Sequence, residues 1–288
     1  MERKFIQIAG FTYSIPASVK ILKKYLPFKV TPDENSHIIS SISVEDIDIS
    51  DKHLYQVGEI IDKKELHIYR DENNCYYAVI NSKFNNKKYE LYASPTWDKV
   101  IFSKECINAD CCPYTIDILL MVTFIYSAAS HNAVLLHASC VKLGEKAVAF
   151  IGQSGAGKST HSQLWLNHIP GTSLLNDDQP AVRIHDNGEI IIYGTPWSGK
   201  TPCYKQEKAT LQGMVRMIQA PYNKITPLSP VFFFKELLSS SSMMRADSST
   251  FKLITSTLSK IASSISSFML ENRPEKEAVD LSYTKTIG

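Results

Sequence analysis

The sequence has no large excess of charge of one sign and no low-hydrophobicity composition. Its 288 residues include 31 Lys and Arg against 29 Asp and Glu, a formal net charge of +2. This balance excludes the basic surplus of a dedicated nucleic-acid binder, so we expect no nucleic-acid partner. With 44% apolar residues, the chain has the composition of a globular protein of one or two domains, not of a disordered one.

The sequence also lacks CxxC pairs, an evident disulfide framework and any repeat of fixed period. We expect its six cysteines to be reduced and buried. These residues are Cys75, Cys106, Cys111, Cys112, Cys140 and Cys203.

No apolar segment of signal-peptide type follows the first residues, so we expect a cytoplasmic protein. One uncharged stretch, 118–141, is long enough to span a bilayer. Its polar residues cluster toward its second half, where they would have no hydrogen-bond partners in lipid. We therefore predict a buried helix, a turn at His131-Asn132 and a strand, with no membrane partner.

The residue pattern changes near position 110, which predicts two domains, 1–110 and 111–288. Short runs of β-branched and aromatic residues in the first region predict strands, and Asn- and Asp-rich turns favour an antiparallel meander. These runs lie at 47–49, 66–70, 75–80, 89–93 and 100–102, and a helix is predicted at 19–26. The first domain is either a recognition domain or a lid on the second.

The second region mixes helices and strands, which predicts an α+β or α/β fold class. Helices are predicted over 114–130, from residue 158, and over 251–265. Strands are predicted at 134–141, 147–152, 174–175, 181–184, 189–193, 268–270 and 278–281. Short turns join the first two of these strands, and the fourth and fifth, as hairpins.

One motif carries specific chemistry. The run Gly152-Gln153-Ser154-Gly155-Ala156-Gly157-Lys158-Ser159 matches G-x-x-x-x-G-K-[ST] and lies between a predicted strand and a predicted helix. Its glycines let backbone N–H groups surround a polyphosphate at a helix N-terminus. Lys158 can reach the outer phosphates and Ser159 can ligate Mg²⁺. The alternative is a glycine-rich turn without a ligand.

Two adjacent carboxylates, Asp177 and Asp178, follow a predicted strand about twenty residues after Lys158, where P-loop proteins place a second acidic element. Adjacent residues at a strand end point to opposite sides. One carboxylate can therefore hold the metal while the other accepts the proton of an attacking hydroxyl. The alternative is a solvated loop before Pro180.

His137 lies on the strand predicted before the motif strand, fifteen positions before Gly152. A single histidine in an apolar strand is more often a core residue than a catalyst, so its spacing leaves both roles open.

Three segments together resemble the catalytic domain of HPr kinase/phosphorylase and its relatives, which include the phosphoenolpyruvate carboxykinases. They are Leu136-His137-Ala138-Ser139, Gly152 to Thr160, and Asn176-Asp177-Asp178-Gln179-Pro180. The resemblance covers about residues 130–285. That family has a P-loop preceded by a β-hairpin, which agrees with the predicted hairpin. In the most similar, bacterial branch, a segment such as Gly194 to Lys200 follows the acidic pair.

The resemblance implies a role for each matching residue. Asp177 takes the place of the base in phosphoryl transfer to serine, and Asp178 that of its neighbour near the metal. His137 takes the place of the active-site histidine, and Lys158 and Ser159 keep their P-loop roles.

The resemblance also implies that Gly152 to Thr160 binds the nucleotide. The chain departs from the bifunctional enzymes at 195–197, where those enzymes carry a metal-binding glutamate. The remaining metal ligand and the phosphorylase half-reaction therefore stay open.

We expect an ATP- and Mg²⁺-dependent kinase that phosphorylates a hydroxyl, such as a serine of a protein or peptide. Two alternatives stay open: a kinase for a small molecule such as free serine or a sugar, and a nucleotide-binding sensor that transfers nothing. A homo-oligomer is compatible with all three. Four basic residues are candidates for neutralising the transferred group: Lys200, Lys205, Arg216 and Arg245.

Overall fold

The chain combines helices with two large β-sheets, a mixed architecture consistent with the α+β class. The structure is a computed structural model that describes residues 2–34, 36–61, 65–82, 85–108, 113–199, 201–243 and 245–288. The chain divides into two compact units, residues 1–131 with 243–252, and residues 132–242 with 253–288. Cys111, Cys112 and Lys200 lie outside the described residues. Cys106, Cys140 and Cys203 are buried free thiols, and Cys75 is a half-buried one.

The described part of the first unit contains one nine-stranded sheet. Its strands are β1 (Arg3–Ile8), β2 (Phe11–Pro16), β3 (Lys29–Val30), β4 (Ile38–Glu45), β5 (Tyr55–Ile61), β6 (Glu65–Arg70), β7 (Tyr76–Asn81), β8 (Lys88–Ala93) and β9 (Lys99–Ser103). Their order is β3-β1-β2-β4-β9-β8-β7-β6-β5. Strands β5 to β9 pair antiparallel in sequence order, which confirms the predicted meander. Strand β4 pairs parallel with both β2 and β9.

Two local predictions in this unit are wrong. Residues 47–49 do not form a strand, because the Asp48 carboxylate accepts hydrogen bonds from the Ser50 N–H (2.9 Å) and hydroxyl (2.7 Å) in a local turn. The helix predicted at 19–26 is a 3₁₀ helix at Lys23–Phe28. It includes Pro27, whose missing N–H cannot extend an α-helix. A second 3₁₀ helix spans Lys104–Ile107.

Helix α1 (Pro113–Ala129) agrees with the prediction to within one residue at each end. It belongs to the first unit, so this unit extends past residue 110, where the sequence pattern placed the boundary. The reason is side-chain bonding to the first sheet and its loops. Lys24 Nζ lies 2.8 Å from an Asp117 carboxylate oxygen, and the Tyr13 and Ser127 hydroxyls lie 3.1 Å apart. Among the described residues, no helix has the length and apolarity needed to cross a membrane.

The second unit contains another nine-stranded sheet within its described residues. Its strands are β10 (Ala133–Leu135), β11 (Ala138–Leu143), β12 (Lys146–Ile151), β13 (Thr172–Asn176), β14 (Ala181–Ile184), β15 (Ile190–Tyr193), β16 (Lys208–Gln219), β17 (Lys224–Pro227) and β18 (Ser266–Asn272). Further helices are α2 (Lys158–His168), α3 (Pro230–Ser240), α4 (Ser248–Ser264, shared by both units) and α5 (Lys276–Thr286). The main strand order is β10-β14-β15-β16-β12-β11-β13, and β18 pairs with β16 and β17.

Both hairpins predicted for this region are confirmed, β11 with β12 and β14 with β15. The strand predicted at 278–281 is wrong, since these residues lie in helix α5. Ala278, Val279 and Ser282 are the buried residues of this helix. Ala278 and Val279 belong to the same core cluster as Phe150 and Trp165. A helix presents these neighbouring positions to one core, whereas a strand would turn Ala278 and Val279 to opposite faces.

Strand β12 lies inside this sheet, between β16 and β11, and positions the candidate site. It pairs antiparallel with β11 and parallel with β16, which in turn pairs parallel with β18. The carboxyl ends of β12, β16 and β18 therefore lie at the same edge of the sheet. The loop that follows β12 begins at that edge.

Candidate functional site

The glycine-rich loop, 152–159, joins β12 to helix α2 and depends on glycine for its backbone shape. Gly152, Gly155 and Gly157 have φ angles of +147°, +83° and +96°, which side-chain-bearing residues rarely adopt. A Cβ on Gly152 would also lie 3.0 Å from the carbonyl oxygen of Met217. The backbone of this loop therefore lies directly against β16.

Lys158 begins helix α2 and folds back over the loop. Its Nζ donates hydrogen bonds to the carbonyl oxygens of Gly152 (2.9 Å) and Gln153 (3.2 Å). Partial burial lowers the pKa of Lys158, and the negative charges of Asp178 and Asp177 oppose that shift. Lys158, Asp177 and Asp178, the residues predicted to contact phosphate, act as the base and hold the metal, therefore influence one another electrostatically.

The first turn of α2 is suited to an anion. Gly157 is the N-cap residue and has no side chain to accept a hydrogen bond from the first N–H groups. Ser159 and Thr160 are exposed on this turn. Helix N-termini with free N–H groups bind phosphate because both the N–H groups and the helix dipole favour negative charge.

His137 lies in a two-residue gap between β10 and β11, so the single strand predicted at 134–141 is interrupted at the candidate site. Pairing with the acidic segment nevertheless continues through the gap. Leu136 N donates to Pro180 O (3.1 Å), and Ala138 N donates to Asp178 O (3.0 Å). On the other edge, His137 N donates to Ser240 O (2.6 Å), at the end of α3. The backbone thus places His137 beside Asp178.

The side chains of His137 and Asp178 are in hydrogen-bond contact, with Nδ1 at 2.9 Å from Oδ1. A carboxylate can only accept at this contact, so Nδ1 carries the hydrogen. In the neutral ring, Nε2 is then the acceptor nitrogen. Asp178 therefore sets both the tautomer and the direction of the imidazole.

Asp177 lies in a different environment from its neighbour. Asp177 is buried, whereas Asp178 is half-buried. Its Oδ1 accepts a hydrogen bond from the Ser139 hydroxyl (2.7 Å), which lies 2.6 Å from the Ser162 hydroxyl on α2. Its Oδ2 is buried and has no hydrogen-bond partner among the described residues. Burying a carboxylate oxygen without a hydrogen-bond donor costs free energy. Such an oxygen is typical of a site where a bound ligand supplies the donor.

Asn176 holds the acidic pair in place. Its fully buried side chain accepts hydrogen bonds at Oδ1 from the N–H groups of Asp178 and Gln179, each at 2.9 Å. Its Nδ2 donates to Thr195 and to the carbonyl oxygen of Trp197, at 3.2–3.3 Å. The segment 195–197 therefore supports the acidic loop.

The sequence alone assigned no role to four of these supporting residues: Ser139, Ser162, Asn176 and Thr195. Only Asn176 has a sequence pattern that could have identified it: an Asn before a polar turn often accepts hydrogen bonds from the next backbone N–H groups. The bonds that Ser139, Ser162 and Thr195 contribute to the acidic segment join residues 16 or more positions apart.

Among the candidate basic residues, Arg216 and Lys205 lie in the second unit and have different partners. Arg216 forms an ion pair with Glu236 (2.6 Å) and lines a cavity with His137. Lys205 Nζ donates to Leu174 O (2.9 Å). Arg245 belongs to the first unit, and Lys200 lies outside the described residues.

The cavity beside His137 has a volume of about 490 Å³. Its walls come from the beginning of the glycine-rich loop, from Arg216 on β16 and from the last two turns of α3. Several lining residues, including Gln153, Ser154 and Lys235, are exposed, so the cavity opens to solvent. It is large enough to admit a hydroxyl-bearing side chain.

Among the described residues, no group of three or more His, Cys, Asp or Glu side chains forms a metal cluster. The donor set at the site, the Ser159 hydroxyl and the Asp178 carboxylate, is nevertheless chemically suited to magnesium. This ion is usually held by one or two carboxylates together with substrate phosphates and water.

Neither the protein-family models nor the curated proteins compared with this chain gave a match.

Proposed function

We propose that the protein is an ATP- and Mg²⁺-dependent kinase that transfers a phosphoryl group to a hydroxyl, a serine of a protein or peptide. The observation that carries this proposal is the buried Asp177 oxygen that has no partner among the described residues, close to the glycine-rich loop and Lys158. Nucleotide binding alone requires no buried carboxylate of this kind.

Asp177 is suited to act as the general base. Ser139 holds Oδ1, which leaves Oδ2 to accept a proton. In the proposed step the acceptor oxygen forms a bond to the γ-phosphorus of ATP, the bond between that phosphorus and the β–γ bridging oxygen breaks, and ADP leaves. The hydroxyl proton passes to Asp177.

The glycine-rich loop and Lys158 bind the phosphates in this proposal. Positive φ angles at the loop glycines and the uncapped start of α2 supply N–H donors, and Lys158 supplies a positive charge. Magnesium, when held by Ser159, Asp178 and phosphate oxygens, would neutralise charge that develops during transfer. His137 is oriented by Asp178 and lines the cavity that would admit the acceptor. It is suited to polarise the acceptor hydroxyl or a phosphate oxygen.

The proposal includes a relationship to HPr kinase/phosphorylase. Its support is the β11–β12 hairpin directly before the glycine-rich loop, together with the adjacent placement of His137 and Asp178. The hairpin agrees with what the sequence resemblance implied.

The test measures transfer of label from γ-labelled ATP with Mg²⁺, by the purified protein alone and with an extract of its own cells. We expect a labelled acceptor with the unchanged chain and a rate about 10² to 10⁴ lower for Asp177→Asn, with ATP binding retained. The matched control is Asp186→Asn, at an exposed turn position, which should transfer at the original rate.

Tight ATP binding without transfer, unaffected by Asp177→Asn, would contradict the kinase and leave a nucleotide-binding sensor. Label on a metabolite instead of a polypeptide would keep the kinase and replace the acceptor with a small molecule.

A further inference from the structure

A second cavity, of about 300 Å³, adjoins the other end of the glycine-rich loop. It is lined by Ala156 and Gly157, by one side of α2, and by the residues at and after the carboxyl ends of β16 and β18. It shares no lining residue with the cavity beside His137. The proposed phosphoryl transfer assigns no group to this second cavity.

Asn272, the last residue of β18, lines this cavity and has an unused hydrogen-bond acceptor. Its side chain is only 7% exposed, and its Nδ2 donates to the carbonyl oxygen of Arg273 (3.1 Å). That bond identifies the nitrogen of the amide, since a carbonyl oxygen accepts only from a donor. Oδ1 is buried and has no hydrogen-bond partner among the described residues. A ligand whose hydrogen-bond donor reaches Oδ1 would satisfy this buried acceptor.

The rest of the cavity wall is suited to a flat, weakly polar ring. Leu164, Ala220 and Pro274 supply apolar surface. His161 also lines the cavity and is almost fully buried, and its burial lowers its pKa to about 4, so the ring is neutral at pH 7. Its Nε2 lies 3.0 Å from the Ser282 hydroxyl, while its Nδ1 is buried without a partner in the described part of the chain.

The direction in which a bound polyphosphate runs along the loop determines which part of the ligand reaches this cavity. The terminal phosphate must lie near Asp177 and the cavity of His137, at the beginning of the loop. The remaining phosphates then extend toward the first turn of α2, where Thr160 lines the second cavity. A nucleoside attached to the last phosphate is thereby brought to Asn272.

We infer that the second cavity is the nucleoside site and that Asn272 Oδ1 accepts a hydrogen bond from the exocyclic amino group of adenine. This inference rests on the proposed function, because the phosphates must first occupy the glycine-rich loop. It makes Asn272 a specificity-determining residue. A 6-oxo purine such as guanine places an acceptor oxygen where adenine has its amino donor, so it loses the bond and faces the amide oxygen.

The test compares equilibrium binding of three Mg²⁺ complexes to the unchanged protein: ATP, GTP, and the triphosphate of purine riboside, which is ATP without the 6-amino group. We expect ATP to bind about tenfold more tightly than the analogue, the usual effect of one hydrogen bond to a buried acceptor. Asn272→Ala should remove that preference. Asn167→Ala, at an exposed position on α2, should retain it.

Lys158→Ala separates the two levels of the proposal. If Lys158→Ala weakens ATP binding but the unchanged protein binds ATP and the purine riboside analogue equally, the nucleoside inference fails and the kinase proposal stands. Tighter binding of GTP than of ATP would also overturn the adenine assignment. If Lys158→Ala leaves binding of every triphosphate unchanged, the proposed function fails and the inference with it.

Discussion

Asn176 and Thr195 are joined by a hydrogen bond from the amide Nδ2 to the Thr195 hydroxyl oxygen, 3.2 Å long and fully buried. The same hydroxyl donates to the carbonyl oxygen of Gln179 (2.7 Å) and accepts from the N–H of Trp197 (3.1 Å). One side chain therefore connects both ends of the acidic turn to a distant segment. The position of the proposed base depends on this connection.

Replacing Thr195 with Val tests that connection, because Val has nearly the same shape but no hydroxyl. We expect the free energy of unfolding to fall by about 1–3 kcal/mol, since buried partners lose their bonds. We also expect phosphoryl transfer to slow while ATP binding is retained. Urea unfolding, a transfer assay and an ATP titration measure the three effects.

The matched control is Thr284→Val, at an exposed position on α5, which should change none of the three. A Thr195→Val variant that loses stability but transfers at the original rate would show that this connection does not position the site.

Gly152→Ala tests the close approach of the glycine-rich loop to β16. Its Cβ would lie 3.0 Å from the Met217 carbonyl oxygen at a φ angle of +147°, so the loop must shift. We expect weaker ATP binding and a loss of about 1–3 kcal/mol in stability. ATP titration and urea unfolding measure these changes.

Gly188→Ala provides the comparison, since its φ angle is +86° and no atom lies within 4 Å of the added Cβ. It should lose about 1 kcal/mol through backbone strain and keep full ATP affinity. Equal ATP affinity in both variants would refute the proposed role of the Gly152 backbone.

The buried His161 predicts a specific pH dependence of stability. Its pKa is about 4 in the folded chain, below the usual value of 6.5, because burial disfavours the charged ring. Between these pH values the unfolded chain binds more protons, so the contribution of His161 is complete above pH 6.5 and is lost as the pH falls toward 4. The loss from pH 7 to pH 5 amounts to about 2 kcal/mol.

This contribution is measured as the difference in unfolding free energy between pH 7 and pH 5, from urea titrations. His161→Gln removes the titrating ring and should reduce that difference by about 2 kcal/mol, whatever its effect at pH 7. His168→Gln, at an exposed position near the end of the same helix, should leave the difference unchanged. An identical pH dependence in the His161 variant would contradict the assignment.

Local patterns in the sequence were sufficient to predict much of the second unit. The glycine spacing of the loop, the start of α2 at Lys158 and the two hairpins all depend on residues close together in the chain. The same is true of the antiparallel meander in the first unit. Each of these elements depends on turn residues or on a hydrophobic period, and both can be read over a few positions.

The tertiary structure alone decided the features that join distant segments. The sequence did not indicate that α1 belongs to the first unit, and it read 278–281 as a strand, because the surface against which a short apolar run packs is not encoded nearby. It also did not indicate that Asn176 and Thr195 are bonded, or that Asp177 and Asn272 each keep a buried oxygen without a partner in the described chain.

The amino-acid sequence by itself thus determined which chemical groups are available: a glycine-rich loop with a lysine, two carboxylates and a histidine. The fold decided which of them are buried, which are oriented and what faces them. The physical reason is that reactivity depends on desolvation and on hydrogen-bond partners, and both are set by contacts between residues far apart in the chain.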